Sequence, residues 1–181
     1  MRPSDHLKSL AAEDWAAATQ HAFCTELAEG TLPEARMRWY LVQDYMFVDG
    51  FVRLLASASA KAPSLAEAVP KAQFLGLVTS EENTYFLRAF EALGTSDAER
   101  QSPPAPATRA FQDLMAEAAA AGSYAKMLAV LVVAEWSYLS WATPVNPPQE
   151  DLPFWFAEWI TLHAGPGFEG VVEHLRSQLD A

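Results

Sequence analysis

Three ionisable side chains fall where helical spacing calls for an apolar residue. Met37, Tyr40, Leu41, Phe47, Val48, Phe51 and Leu54 form one stripe, and Asp44 lies inside it. Burying a carboxylate costs several kcal/mol unless it is paired or neutralised, so Asp44 needs a partner or a task. A plain ion pair with Arg38 or Arg53 on the same helix is one answer. Glu135 repeats the pattern between Leu128 and Leu131 on one side and Tyr138 and Ala142 on the other. Its expected burial between Leu131 and Tyr138 would raise its pKa toward the range useful for general acid/base work; a buried ion pair is again the alternative. Trp155, Trp159 and His163 follow at i, i+4 and i+8. There the histidine could be a core residue, a helix-end cation or a proton carrier. Glu82 lies between Val78 and Tyr85, but Glu81 is its neighbour, and Glu82 is expected to face water.

Other chemistries lack their residues. The four histidines, His6, His21, His163 and His174, form no H-E-x-x-H pair, and no Glu-x-x-His motif for a di-iron bundle occurs. No metal site is expected. Neither a Gly-rich phosphate loop nor a G-x-S-x-G elbow is present. Cys24 is the one cysteine, so no internal disulfide is possible. The 181 residues are 51% hydrophobic and 12% aromatic, with net charge −11. That is too apolar for disorder and too acidic for a nucleic-acid backbone or an anionic membrane surface. The N-terminus lacks a basic-then-apolar leader, and the longest apolar run, Met127 to Ala134, is short for a bilayer. The expectation is a cytoplasmic, soluble, single-domain protein with no nucleic-acid or membrane partner.

The elements that carry these side chains read as helices throughout. Alanine is abundant, and no window sustains period-two alternation. Helices are expected at about 3–28, 31–59, 65–93, 108–121, 124–141, 154–163 and 168–179. Thr31 is expected to cap the second, and Pro70 and Gly76 to bend or split the third. Two proline-rich loops, 95–107 and 144–153, separate them. The fold class is all-α, a bundle of seven or eight helices.

Gly30–Ala56, GTLPEARMRWYLVQDYMFVDGFVRLLA, resembles the second helix of the TenA/thiaminase II family, with its Gly-Thr-Leu-Pro start and Tyr-Leu-x-Gln-Asp-Tyr core. Thr108–Trp141 resembles that family's central helix pair, and Phe154–Leu175 resembles its Trp-Ile-x-x-Tyr segment. The resemblance implies a haem-oxygenase-like helical bundle, a homotetramer, with no metal or organic cofactor. Its implied activity is hydrolysis of aminopyrimidine breakdown products of thiamine to hydroxymethylpyrimidine, and in some members cleavage of thiamine. Asp44 would grip the aminopyrimidine through its ring nitrogen and exocyclic amine, Phe47 would stack on the ring, and Tyr138 would bond the ligand or the catalytic group.

The chain also departs from the family pattern. Members with a cysteine nucleophile carry it in a Pro-Cys pair just before the Glu135 position; here the pair is Val133-Ala134. A second branch lacks that cysteine and has a glutamate followed three residues on by a tyrosine, which Glu135 and Tyr138 match. Two family tyrosines read Phe111 and His163, and these are expected to line the same ligand site. The chain also stops about one helix short of the pattern, at Ala181. Without a thiolate, water must attack with Glu135 as general acid/base, or a carboxylate must replace the thiol, with His163 moving protons or orienting Glu135. Two alternatives remain open: a catalytically silent pyrimidine- or thiamine-binding protein of the same fold, and an enzyme resembling pyrroloquinoline-quinone biosynthesis protein C.

Overall fold

The structure, a computed structural model, describes residues 1–181. It contains helices and no strand. In chain order these are α1 (Pro3–Leu10), α2 (Ala12–Thr19), α3 (Ala22–Ala28), α4 (Glu34–Lys61), α5 (Leu65–Leu77), α6 (Asn83–Ala92), α7 (Asp97–Arg100), α8 (Pro106–Ala120), α9 (Tyr124–Ala142), α10 (Phe154–Leu162) and α11 (Pro166–Asp180). All seven expected helices are present. The number of segments is higher because the first breaks into α1, α2 and α3, the third into α5 and α6, and the short α7 sits in the proline-rich loop. The chain forms two compact units: Met1–Leu32 with Leu131–Ala181, and Pro33–Val130.

In the Pro33–Val130 unit, α4 is the central element and packs along α5 and α8. Its N-cap is Pro33, with extended backbone, and Glu34 complements the dipole in the first turn. The expected Thr31 cap does not form, because the Thr31 hydroxyl turns back to the Glu26 carbonyl at 3.4 Å. The helix ends at Lys61, two residues before Pro63, because the residue preceding a proline disfavours helical backbone. Met37, Leu41, Phe51, Leu54 and Leu55 bury the face that also carries Asp44. Gly50 lets α8 approach: a Cβ there would lie 2.8 Å from Met115 Cε.

The break between α5 and α6 is not at Pro70, which stays inside α5. It is a π-helical turn at Val78–Glu82. A π turn adds one residue to the helical repeat and resets the face that the following side chains present. Tyr85, Phe86, Ala89 and Phe90 of α6 are thereby buried.

In the other unit, α1 packs on α11. Arg2 pairs with Asp180 at 2.6 Å and with Glu173 at 2.7 Å, and the Ser4 amide donates to Asp180 at 2.6 Å. The Arg176 guanidinium lies 3.7 Å from the centre of the Trp136 ring and also pairs with Asp5. Lys8 sits 4.4 Å from the same ring and 4.6 Å from Trp15. Arg176 is half methylene stem, so its loss removes packing as well as charge. Arg176→Ala is expected to destabilise the protein by about 1–2 kcal/mol, the scale of a partly desolvated cation–π contact. Urea unfolding would read this, and a midpoint unchanged from wild type would contradict it.

Tyr124–Val145 is, by length and mean hydropathy (1.3), long and apolar enough to cross a membrane. It exceeds the expected Met127–Ala134 run because the aromatic residues after Glu135 extend it. Met127, Leu128, Leu131, Val132, Ala134 and Ala142 along it are buried, while 39% of its most apolar window is buried overall.

Candidate active site

The six sequence-nominated residues fall into two groups, one in each unit. Asp44, Phe47 and Phe111 belong to the Pro33–Val130 unit; Glu135, Tyr138 and His163 belong to the other.

In the first group, Asp44 is buried, 8% exposed, one helical turn from the buried Phe47. Phe111 of α8 lies nearly parallel to Phe47, ring centres 5.0 Å apart and planes 17° apart, an offset stack that makes a flat aromatic wall. The cationic partners suggested for Asp44 are engaged elsewhere. Arg53 pairs with Asp49 at 3.1 Å, while Arg38 pairs with Glu99 at 3.1 Å and donates to the Leu93 carbonyl.

The neighbours of Asp44 explain why a Gln-Asp-Tyr block sits here. Gln43 Oε1 accepts from the Ala105 amide at 2.7 Å and from the Thr108 hydroxyl at 2.9 Å, holding the proline-rich loop and the start of α8 to α4. Tyr45 donates its hydroxyl to Asn83 Oδ1 at 2.9 Å, and its ring packs against Phe86 and Phe90. So the residue after Asp44 is fixed to the residue after Glu82. Glu82 is part-buried rather than facing water, which corrects the expectation. Its carboxyl is pushed up to about 8, first by loss of solvent and then by the charge of Asp44. Glu81 next to it is the exposed one.

The sequence did hold a signal for Glu82. Val78, Glu82, Tyr85 and Ala89 keep the same i, i+4, i+7 spacing that singled out Asp44 and Glu135.

In the second group, Glu135 is buried on α9, 5% exposed, one turn before Tyr138. The Tyr138 ring stacks on His163, centres 4.3 Å apart and planes 23° apart. Trp159 and Phe168 meet the imidazole edge-on. His163 Nδ1 lies 2.9 Å from the Trp159 carbonyl, which can only accept, so Nδ1 carries the proton and Nε2 is left as an acceptor. Burial lowers the His163 pKa to about 4, against the smaller opposing effect of that hydrogen bond. At neutral pH it is therefore an uncharged, hydrogen-bonding ring.

This pKa fixes an expected stability profile. Between pH 6.5 and about 4 the unfolded chain binds the His163 proton and the folded chain does not. The contribution is complete above 6.5 and is lost as pH falls toward 4, by about 3 kcal/mol. His163→Phe is expected to remove this component. Urea unfolding of both proteins at pH 7.5 and 4.5 would test it, and identical acid losses would contradict it.

Cys24 occupies no nucleophile position. Its thiol is pushed up to about 11 by burial, so the reactive thiolate is scarce at neutral pH. Ala134, buried on α9, offers no reactive atom. No cluster of three or more metal-ligating side chains occurs.

A helical fold that presents a buried aspartate beside an aromatic wall, and a buried glutamate one turn from a tyrosine, belongs to a defined class. Residues 10–181 match the TENA/THI-4/PQQC family, and the chain belongs to that family. It is 27% identical to an aminopyrimidine aminohydrolase of Halalkalibacterium halodurans over 169 residues, covering 92% of this chain and 75% of that protein. It is 25% identical to the aminopyrimidine aminohydrolase of Bacillus subtilis, covering 99% of this chain and 76% of that protein. Among solved structures, a TenA family transcription regulator from Silicibacter sp. TM1040 superposes with TM-score 0.85 at 25% identity, covering 97% of this chain and 78% of the other. The TenA homologue from P. horikoshii OT3 superposes with TM-score 0.86 at 23% identity, covering 99% and 85%, which bears on the fold alone.

Proposed function

We propose that the protein is a cytoplasmic aminopyrimidine aminohydrolase of thiamine salvage, acting without a cysteine nucleophile. Water replaces the amine on the exocyclic methylene of a 5-aminomethyl (or formylaminomethyl) pyrimidine. For the aminomethyl substrate, the C–N bond breaks, a C–O bond forms, and hydroxymethylpyrimidine and ammonia leave. The observation that carries the reading is the buried Asp44 one turn from the stacked Phe47–Phe111 wall. A carboxylate takes the ring-nitrogen and amine edge of an aminopyrimidine, and the phenyl faces take its plane. Glu135 is assigned general acid/base work, Tyr138 a hydrogen bond to the ligand or to Glu135, and His163 a neutral orienting contact. By family resemblance the working unit is a homotetramer.

The test is turnover. Purified protein is incubated with 4-amino-5-aminomethyl-2-methylpyrimidine, its formylated form and thiamine, and hydroxymethylpyrimidine is followed by chromatography. Product from an aminopyrimidine supports the reading. Ala134 favours one competing reading, a silent pyrimidine-binding protein. A stoichiometric complex with no product over hours would favour that alternative.

A further inference from the structure

We propose that the Pro33–Val130 unit carries a second small-molecule site, a cavity beside the first half of α4 that takes a neutral, planar ring bearing carbonyl groups. The cavity has a volume of about 480 Å³ and lies between α4 and the proline-rich loop. That is the size of a small-ligand pocket. Asp44, Phe47 and Phe111 do not line it, so it is separate from the group described above and does not depend on the aminopyrimidine reading. The observation that carries it is the side-chain amide of Gln43. This residue lines the cavity and is 6% exposed. Its Oε1 accepts from the Ala105 amide at 2.7 Å; a backbone N–H can only donate, so the oxygen is the atom on that side. The Thr108 hydroxyl donates to the same oxygen at 2.9 Å. The Nε2 nitrogen makes no hydrogen bond within the protein. A withdrawn amide with two uncommitted donors calls for an acceptor from outside the chain.

The rest of the lining selects the ligand. Arg38 is matched by Glu99 at 3.1 Å, and its Nη1 donates to the Leu93 carbonyl at 3.1 Å. Glu99 in turn accepts from the Ser96 amide at 2.8 Å and the Ser96 hydroxyl at 2.7 Å. The two charges offset each other and are tied to the fold, so the cavity favours a ligand without net charge. Trp39, 57% exposed, and Pro103 supply apolar surface, and an indole on a cavity wall is a stacking face. Ser102 adds a hydroxyl that can donate. A planar lactam meets all of these demands. Its face takes the indole, and its carbonyl oxygens accept from Gln43 and Ser102. The requirement is the reverse of the one at Asp44, where a carboxylate calls for a ligand that donates. Neighbouring residues on α4 thus sort rings by the polarity of their edges.

The experiment uses whole 15N-labelled protein, followed by NMR, and two probes of one shape, hypoxanthine and adenine. Hypoxanthine carries a ring carbonyl where adenine carries an amino group. The Gln43 side-chain amide and the Trp39 indole resonances are identified by their loss from Gln43→Glu and Trp39→Leu. Hypoxanthine is expected to shift both resonances saturably, and adenine to bind about tenfold more weakly, the scale of a lost hydrogen bond. Gln43→Glu keeps the acceptor for Ala105 and Thr108 but replaces the donor, so it too should bind hypoxanthine about tenfold more weakly. Trp39→Leu, at an exposed position, should cost about three- to tenfold. If Gln43→Glu fails to fold, Trp39→Leu and Ser102→Ala carry the test. Hypoxanthine that leaves both resonances unmoved up to its solubility limit overturns the site. Equal affinity for adenine, or undiminished affinity in the folded variants, overturns the carbonyl recognition. Displacement of hypoxanthine by 4-amino-5-aminomethyl-2-methylpyrimidine places the ring at Asp44 instead and overturns a separate site.

Discussion

Glu135→Gln is expected to lower turnover of the aminomethylpyrimidine by about a thousandfold, the middle of the range for lost general acid–base catalysis. Binding should stay within about threefold of wild type, because a group acting in the transition state contributes little to ground-state affinity. The size of the effect follows from what surrounds Glu135. The residue before it is Ala134, which offers no nucleophile. The one thiol, Cys24, is held protonated by burial and lies on α3. In the proposed reaction, chemistry at the methylene carbon then depends on a carboxyl that can deprotonate water or protonate the departing amine. Glutamine matches the volume of glutamate and keeps an acceptor oxygen, so the helix face with Leu131 and Tyr138 is preserved, and only proton transfer is lost. Single-turnover kinetics and a ligand titration on the same samples separate the two quantities. Full turnover in the variant removes Glu135 from the chemistry. Loss of binding in step with turnover makes it a structural acid.

Much of this arrangement is legible in the sequence, for a physical reason. An acid among apolar residues at helical spacing is forced inward by its neighbours, and both Asp44 and Glu135 are buried where that spacing puts them. The helices are legible because alanine content and apolar periodicity point the same way. Phe47 and Phe111 were both nominated, and they stack; Tyr138 and His163 were both nominated, and they stack. Glu82 is the exception: its spacing to Val78, Tyr85 and Ala89 points inward, but the adjacent Glu81 makes a solvated acid the simpler reading of the pair, and it is Glu81 that is exposed. The Thr31 cap failed for a related reason. Pro33 already fixes the entry backbone, and the Glu26 carbonyl competes for the Thr31 hydroxyl. Local rules name the capable residue, and tertiary contacts decide which capability is used.

Glu82→Gln is expected to be more stable than wild type at pH 8.5 by about 2–4 kcal/mol, and to match it near pH 4. In the unfolded chain Glu82 ionises near its ordinary value of 4.5; in the folded chain it does so near 8. Between those values the folded chain alone holds the proton. Wild-type stability from this group is therefore complete below 4.5 and is lost as pH rises through 8. The full difference corresponds to roughly 5 kcal/mol, and the water that reaches a part-exposed carboxyl reduces it. Glutamine has the shape of the protonated acid and no charge to develop, so it escapes the loss. Urea unfolding of both proteins at pH 4.5, 6.0, 7.5 and 8.5 would show the gap opening with pH. A gap that is constant, or that closes as pH rises, would contradict the acid pair.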